Sequence, residues 1–127
     1  MLLVGTFILV SNFNDNFVNK KLIEMNSFAS KVESFDSGKQ ALEYLRNENT
    51  AELPDVIFLD IHMPEMDGFG FLEEFEKLPL TIHSKCKIVM LSTSESFRDL
   101  NKANKNRFVK KFLNKPLTEQ VLDAINV

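Results

Sequence analysis

The sequence predicts an α/β fold, a doubly wound parallel sheet of five strands in the order 2-1-3-4-5 with five helices on its two faces. Three observations predict it. Short apolar, β-branched runs at Thr6–Val10, Val56–Leu59 and Lys87–Leu91 each stop abruptly at polar residues, as strands buried on both faces do. Stretches with helical spacing separate the strands, and the connections are short, the grammar of repeated βαβ units. With 127 residues, 44% of them hydrophobic and 26% charged, the chain suits one ordinary domain over residues 1–127 with a core of its own.

Leu2 to Val10 is apolar enough to suggest a signal peptide, yet it lacks a basic start and a small-residue cleavage site, and it is too short to span a membrane. It reads as the first strand. Asn or Asp within residues 12–16 can start a helix, in which Val18, Leu22 and Met25 fall at i, i+4 and i+7 as the expected buried face. Val32 to Phe35 is a second, alternating strand. Ser37 and Gln40 form a capping-box pattern ahead of Ala41, Leu42 and Leu45 on one helical face. Asn47 to Pro54 is a polar loop before the third strand, Val56 to Leu59, which stops at Asp60.

Gly68 opens the next helix, with Phe71, Phe75 and Leu78 at helical spacing, and Pro79 ends it. The fourth strand, Lys87 to Leu91, stops at Ser92-Thr93-Ser94, and a polar helix from about Glu95 to Asn104 follows. Phe108 to Leu113 is the last strand. It ends at Asn114-Lys115-Pro116, and Leu117, Val121, Ala124 and Ile125 supply the closing helix. The chain has no internal repeat or low-complexity tract.

A formal net charge of −3 argues against a nucleic-acid surface, because phosphate contacts need clustered basic charge. The one candidate cluster, Lys102 to Lys111 with Lys105, Arg107 and Lys110, reads as a solvated face. Cys86 is the only cysteine, so an intramolecular disulfide and a cysteine-based zinc site are excluded, and a reducing compartment fits. A cytoplasmic protein is expected, with Cys86 at a strand edge.

The carboxyl ends of strands 1, 3, 4 and 5 bring Ser11-Asn12, Asp60, Ser92 and Lys115 to one rim of the sheet, where α/β folds do their chemistry. Asp60 alone reads either as a chemical group or as a turn cap. The rim as a whole offers a nucleophile, a hydroxyl and a cation around one point. Here the sequence resembles the receiver domain of bacterial two-component response regulators, through Asp60-Ile61-His62-Met63-Pro64-Glu65-Met66-Asp67-Gly68 and the later Lys115-Pro116. The resemblance covers essentially the whole chain.

The resemblance implies a flavodoxin-like fold and a stand-alone signalling domain rather than an enzyme. It implies Asp60 as the acceptor of a phosphoryl group from a histidine kinase or histidine phosphotransfer protein. Ser92 would bond a phosphoryl oxygen, Lys115 would pair with the carboxylate and then the phosphoryl group, and Phe112 would be the aromatic switch. Mg²⁺ would be held by Asp60, by Asn12 and by the backbone carbonyl of His62, whose imidazole is not required. The face made by helix 4, strand 5 and helix 5 would meet a downstream protein; neither nucleic acid nor membrane is expected as a partner.

The chain departs from the family on strand 1, where two consecutive acids are usual and Ser11 and Asn12 stand instead. Mg²⁺ wants oxygen ligands and charge neutralisation, and a unit charge pair 4 Å apart is worth roughly 4 kcal/mol at an effective dielectric of 20. The ion is therefore expected to bind weakly or not at all, and Lys115 to pair with Asp60 more closely. Asp15 or Glu65 could substitute, although each is more simply a helix-start or loop residue. The alternative function is a degenerate receiver, an interaction module independent of phosphorylation. A haloacid-dehalogenase-type phosphatase would want an acid where His62 stands, and a flavodoxin would want a hydroxyl- and glycine-rich loop where Phe13-Asn14-Asp15-Asn16 stands.

Overall fold

The computed structural model describes residues 5–47, 53–93 and 97–125. Five strands, β1 (Thr6–Val10), β2 (Lys31–Phe35), β3 (Val56–Asp60), β4 (Lys87–Ser92) and β5 (Val109–Asn114), form one parallel sheet in the order β2-β1-β3-β4-β5. The helices are α1 (Phe13–Met25), α2 (Gly38–Asn47), α3 (Gly68–Glu76), α4 (Leu80–Lys85), α5 (Phe97–Lys105) and α6 (Glu119–Ala124). The predicted strand order is found. Most of the polar loop before β3, the start of Leu2–Val10, and Ser94 and Glu95 lie outside the described residues.

Six helices replace the five expected. Helix α3 ends at Glu76 with Lys77 as its C-cap, short of Pro79, whose carbonyl accepts the N–H of Ile82 at 3.0 Å and so begins α4. That helix has six residues and buries only Ile82, which leaves no periodic apolar stripe to read in the sequence.

The continuous apolar runs are explained by the two-residue period of a strand, which sends alternate side chains to opposite faces. Ile8, Val10, Ile57, Leu59, Ile88 and Met90 pack with Ala41, Leu42, Leu45, Phe71 and Phe75 from α2 and α3. Phe7, Leu9, Val56, Phe58, Val89 and Leu91 pack with Ile23 of α1, Leu122 of α6 and Ile125. Fully burying each such side chain contributes about 1.5–3 kcal/mol. In α6 the sequence expectation is corrected: Leu122 is the buried residue of the helix and Ala124 is exposed.

Helix α1 is turned away from the face that its hydropathy suggests. Its buried residues are Asn16, Asn19 and Ile23, whereas Val18 is 60% and Met25 80% exposed, and Phe13 and Phe17 also face outward. The Asn16 amide explains the rotation. Its Nδ2 donates to the carbonyl oxygens of Ser11 and Phe35, each at 2.9 Å, and so ties the ends of β1 and β2 to the helix. Two inward asparagines read as outward in a hydropathy pattern, which shifted the predicted face.

Strand β5 contains an irregularity that matters for the rim. Ile88 pairs with Val109 but Val89 pairs with Lys111, so Lys110 is an extra residue. Such a bulge lets Val109 and Phe112, three positions apart, pack on the same core.

Candidate functional site

Asp60 follows Val56 and Phe58 in the alternation of β3, so its side chain lies on the sheet face covered by α1 and α6. Asp60 is 1% exposed. A buried carboxylate needs partners for its lone pairs, and this one has them. Oδ1 accepts the backbone N–H of His62 at 3.1 Å, and Oδ2 accepts the Ser11 hydroxyl at 2.8 Å and the Lys115 ammonium.

Lys115 is fixed at both ends. Its backbone N–H donates to the Ser92 carbonyl at 2.9 Å, tying the turn after β5 to the end of β4, and the following Lys115–Pro116 peptide is cis. The side chain is 13% exposed, and its Nζ reaches Asp15 Oδ2 at 2.5 Å as well as Asp60 Oδ2. Burial by itself would lower the pKa of the Lys115 ammonium, but hydrogen bonds to Asp15 and Asp60 and the charge of both carboxylates outweigh it, and the net shift is upward. The hydrogen bond from Lys115 holds the Asp15 carboxyl below its ordinary range against a partial opposing effect of burial.

The other predicted residues sit on neighbouring elements. Ser92 closes β4 and is fully buried. Phe112 is half-buried against the core of the α2–α3 face. The His62 side chain is exposed, its Nε2 3.7 Å from Asp99 Oδ2. Asn12 faces the helix instead of Asp60: its Oδ1 accepts the Asp15 N–H at 2.8 Å and its Nδ2 donates to Asp15 Oδ2 at 3.0 Å. Glu65 is exposed in the loop with φ 69°. A cleft of about 290 Å³ beside these groups is lined by Asp15, Val18, Asn19 and Thr93 together with Lys115, Pro116 and Leu117.

The structure therefore joins Asp60, Lys115 and Ser11 with Asp15, a residue that sequence reasoning ranked as a helix-start group. Its position three residues after the N-cap Asn12 is a capping signal, and nothing local in the chain points to a lysine 100 positions away.

The Mg²⁺ implied by the resemblance finds a poor donor set. Asp60 Oδ2 already accepts two donors and Oδ1 one, and the Asn12 carbonyl oxygen serves the helix. Among the described residues no group of three or more His, Cys, Asp or Glu side chains could hold a metal ion. A hard divalent cation requires more free, charged oxygen than this.

Comparison with known proteins agrees with the fold. The chain is 33% identical over 117 residues to the histidine kinase CKI1 of Arabidopsis thaliana, covering 80% of this chain but 10% of that kinase. It is 33% identical over 110 residues to the probable methanogenesis regulatory protein FilR2 of Methanothrix harundinacea, covering 82% of this chain and 69% of that protein. A response regulator receiver protein of Dyadobacter fermentans superposes with a TM-score of 0.85 at 30% identity, over 93% of this chain and 91% of that one. The CKI1 receiver domain complexed with Mg²⁺ and BeF₃⁻ superposes with a TM-score of 0.76 at 25% identity, over 94% and 85% of the two chains. Residues 15–126 match the response regulator receiver domain, and the chain belongs to that family.

Proposed function

We propose that this receiver accepts a phosphoryl group on Asp60 from the phosphohistidine of a histidine kinase or histidine phosphotransfer protein and signals through protein contacts. The observation that carries the reading is the contact of the Lys115 ammonium with Asp60 Oδ2 at the rim of the sheet. A carboxylate oxygen attacks phosphorus, the donor's N–P bond breaks, an Asp60 O–P bond forms, and the leaving imidazole takes up a proton. Little covalent chemistry is asked of the protein. Neutralising the moving charge is the main task, and Lys115 is the cation at hand. Ser92 is the hydroxyl assigned to a phosphoryl oxygen, and half-buried Phe112 is the ring assigned to report the change. The output face is α5, β5 and α6, because α4 is the additional helix of this chain. Histidine kinases among the relatives support the phosphohistidine donor.

A second reading, binding independent of phosphorylation, is favoured by one observation: Ser11 and Lys115 close over an Asp60 that is almost fully buried. Phosphate incorporation from acetyl phosphate, with Mg²⁺ and with a chelator, in wild type and Asp60→Asn separates the two. Incorporation that disappears in Asp60→Asn supports the first. No Asp60-dependent phosphate under any metal condition leaves the second.

A further inference from the structure

The pocket has a charged group at a position to which the family pattern assigns none. Strand β1 contributes no acid, yet a carboxylate enters from the first turn of α1, one helical turn beyond the usual position. Asp15 is oriented from both sides: Asn12 Nδ2 donates to its Oδ2, and Lys115 Nζ donates to the same oxygen at 2.5 Å. The ammonium is thus shared between two carboxylates on different elements, Asp60 on β3 and Asp15 on α1.

We propose that Asp15 is a positioning residue that holds the Lys115 ammonium against Asp60, so that the cation of this pocket is a side chain in the place of a divalent ion. A lysine has a long flexible stem, and one carboxylate contact leaves it free to swing to solvent. A second contact, on an element already fixed by Asn16 to β1 and β2, removes that freedom. Two carboxylates around one ammonium also leave a single net negative charge, too little to draw a hard dication away from water.

The inference deepens the proposed function and rests on the same site, but it is tested without phosphoryl transfer. The Asp15 carboxylate also accepts Asn12 Nδ2 in the cap of α1, so a loss of stability alone would not distinguish the two roles. The discriminating readout is the Lys115 side-chain ammonium signal in ¹H–¹⁵N spectra, visible only when a buried, hydrogen-bonded NH₃⁺ exchanges slowly with water. The wild type is expected to show it, Asp15→Asn to lose it through hydrogen exchange faster by about tenfold or more, and Asp15→Glu, which restores the charge, to recover it. In a second arm, Lys115→Gln frees both carboxylates and is expected to bind Mg²⁺ about tenfold more tightly than wild type, with the gain abolished in Lys115→Gln/Asp15→Asn.

An unchanged Lys115 signal in Asp15→Asn would overturn the positioning role. Mg²⁺ affinity in folded Lys115→Gln no higher than in wild type would overturn the substitution of lysine for the ion, and Lys115→Met repeats that measurement if the glutamine variant does not fold. If wild type takes no phosphate but both arms behave as expected, the proposed function fails and the Asp15–Lys115–Asp60 arrangement stands.

Discussion

A Cβ on Gly68 would stand 2.8 Å from the carbonyl oxygen of Asp60 and 2.9 Å from Ile61 Cα. Both neighbours are backbone at the end of β3, so they cannot give way without moving Asp60. The Gly68 N–H also donates to the Ile61 carbonyl at 2.8 Å, which fixes the start of α3 against the strand.

Gly68→Ala is therefore expected to destabilise the fold by about 1–3 kcal/mol through overpacking. Gly70→Ala, two residues on, meets only the flexible Met66 side chain at 3.3 Å and Asp67 Oδ1 at 3.4 Å. There the lower entropy of the unfolded chain dominates, and a gain of about 0.5 kcal/mol is expected. Urea denaturation of the two variants checks the opposite signs.

The orientation of α1 gives a second contrast. Ile23 is fully buried beneath a helix whose Met25 is 80% exposed. Ile23→Ala should cost about 2–5 kcal/mol, and Met25→Ser no more than about 0.5 kcal/mol. If Met25 proved the costlier residue, the helix would have to be turned to the face that hydropathy suggests.

The fold was largely legible because strand composition and the residues that end each strand are local signals. β3 and β4, with apolar runs stopping at Asp60 and Ser92, needed no long-range information. The buried face of α1 and the existence of α4 were not legible, for different reasons: α1 buries two asparagines beside Ile23, while the apolar stripe of Val18 and Met25 faces solvent, and α4 buries a single isoleucine and has no stripe to read. The placing of Asp60, Ser92 and Lys115 at or just beyond the ends of their strands was legible from the apolar runs that stop there, and their roles are those that the resemblance implies. The Asp15–Lys115 contact joins residues at opposite ends of the chain, and only the packing of α1 beside the turn after β5 brings them together.

Asn16 is expected to be sensitive to charge rather than size. Its Nδ2 supplies a donor to the Ser11 and Phe35 carbonyls, while Phe35 O also accepts the Ser11 N–H at 3.2 Å. Asn16→Ala removes two bonds and should cost about 1–3 kcal/mol. The nearly isosteric Asn16→Asp turns an acceptor toward two acceptors and should cost more than alanine at neutral pH. Thermal melts of both variants at pH 7 check the order.

Cys86 sets an alkaline limit. Burial pushes its thiol up to about 12, against about 8.5 in an unfolded chain. The neutral thiol favoured in the fold stabilises fully below the unfolded value, and this contribution is lost as pH rises toward the folded one. The upward shift of Lys115 has the same sign, its contribution being lost as pH rises through the raised pKa. The Tm is expected to fall above about pH 9, less steeply in Cys86→Ala than in wild type. A thiol reagent at neutral pH should label native Cys86 about a hundredfold more slowly than the unfolded chain.

The bulge in β5 has a consequence at the margin of the molecule. An exposed outer strand offers unpaired backbone groups on which another chain can add a strand, the first step of edge-to-edge aggregation. Here one margin carries the bulge together with the exposed lysines Lys110 and Lys111, and the other carries Lys31 and Glu33, 3.6 Å apart. Both margins oppose templated growth of the sheet. Contact with another protein is thereby left to side chains, those of β5 included, where an encounter can be reversed, and kept from shared backbone pairing, where it would be slow to undo.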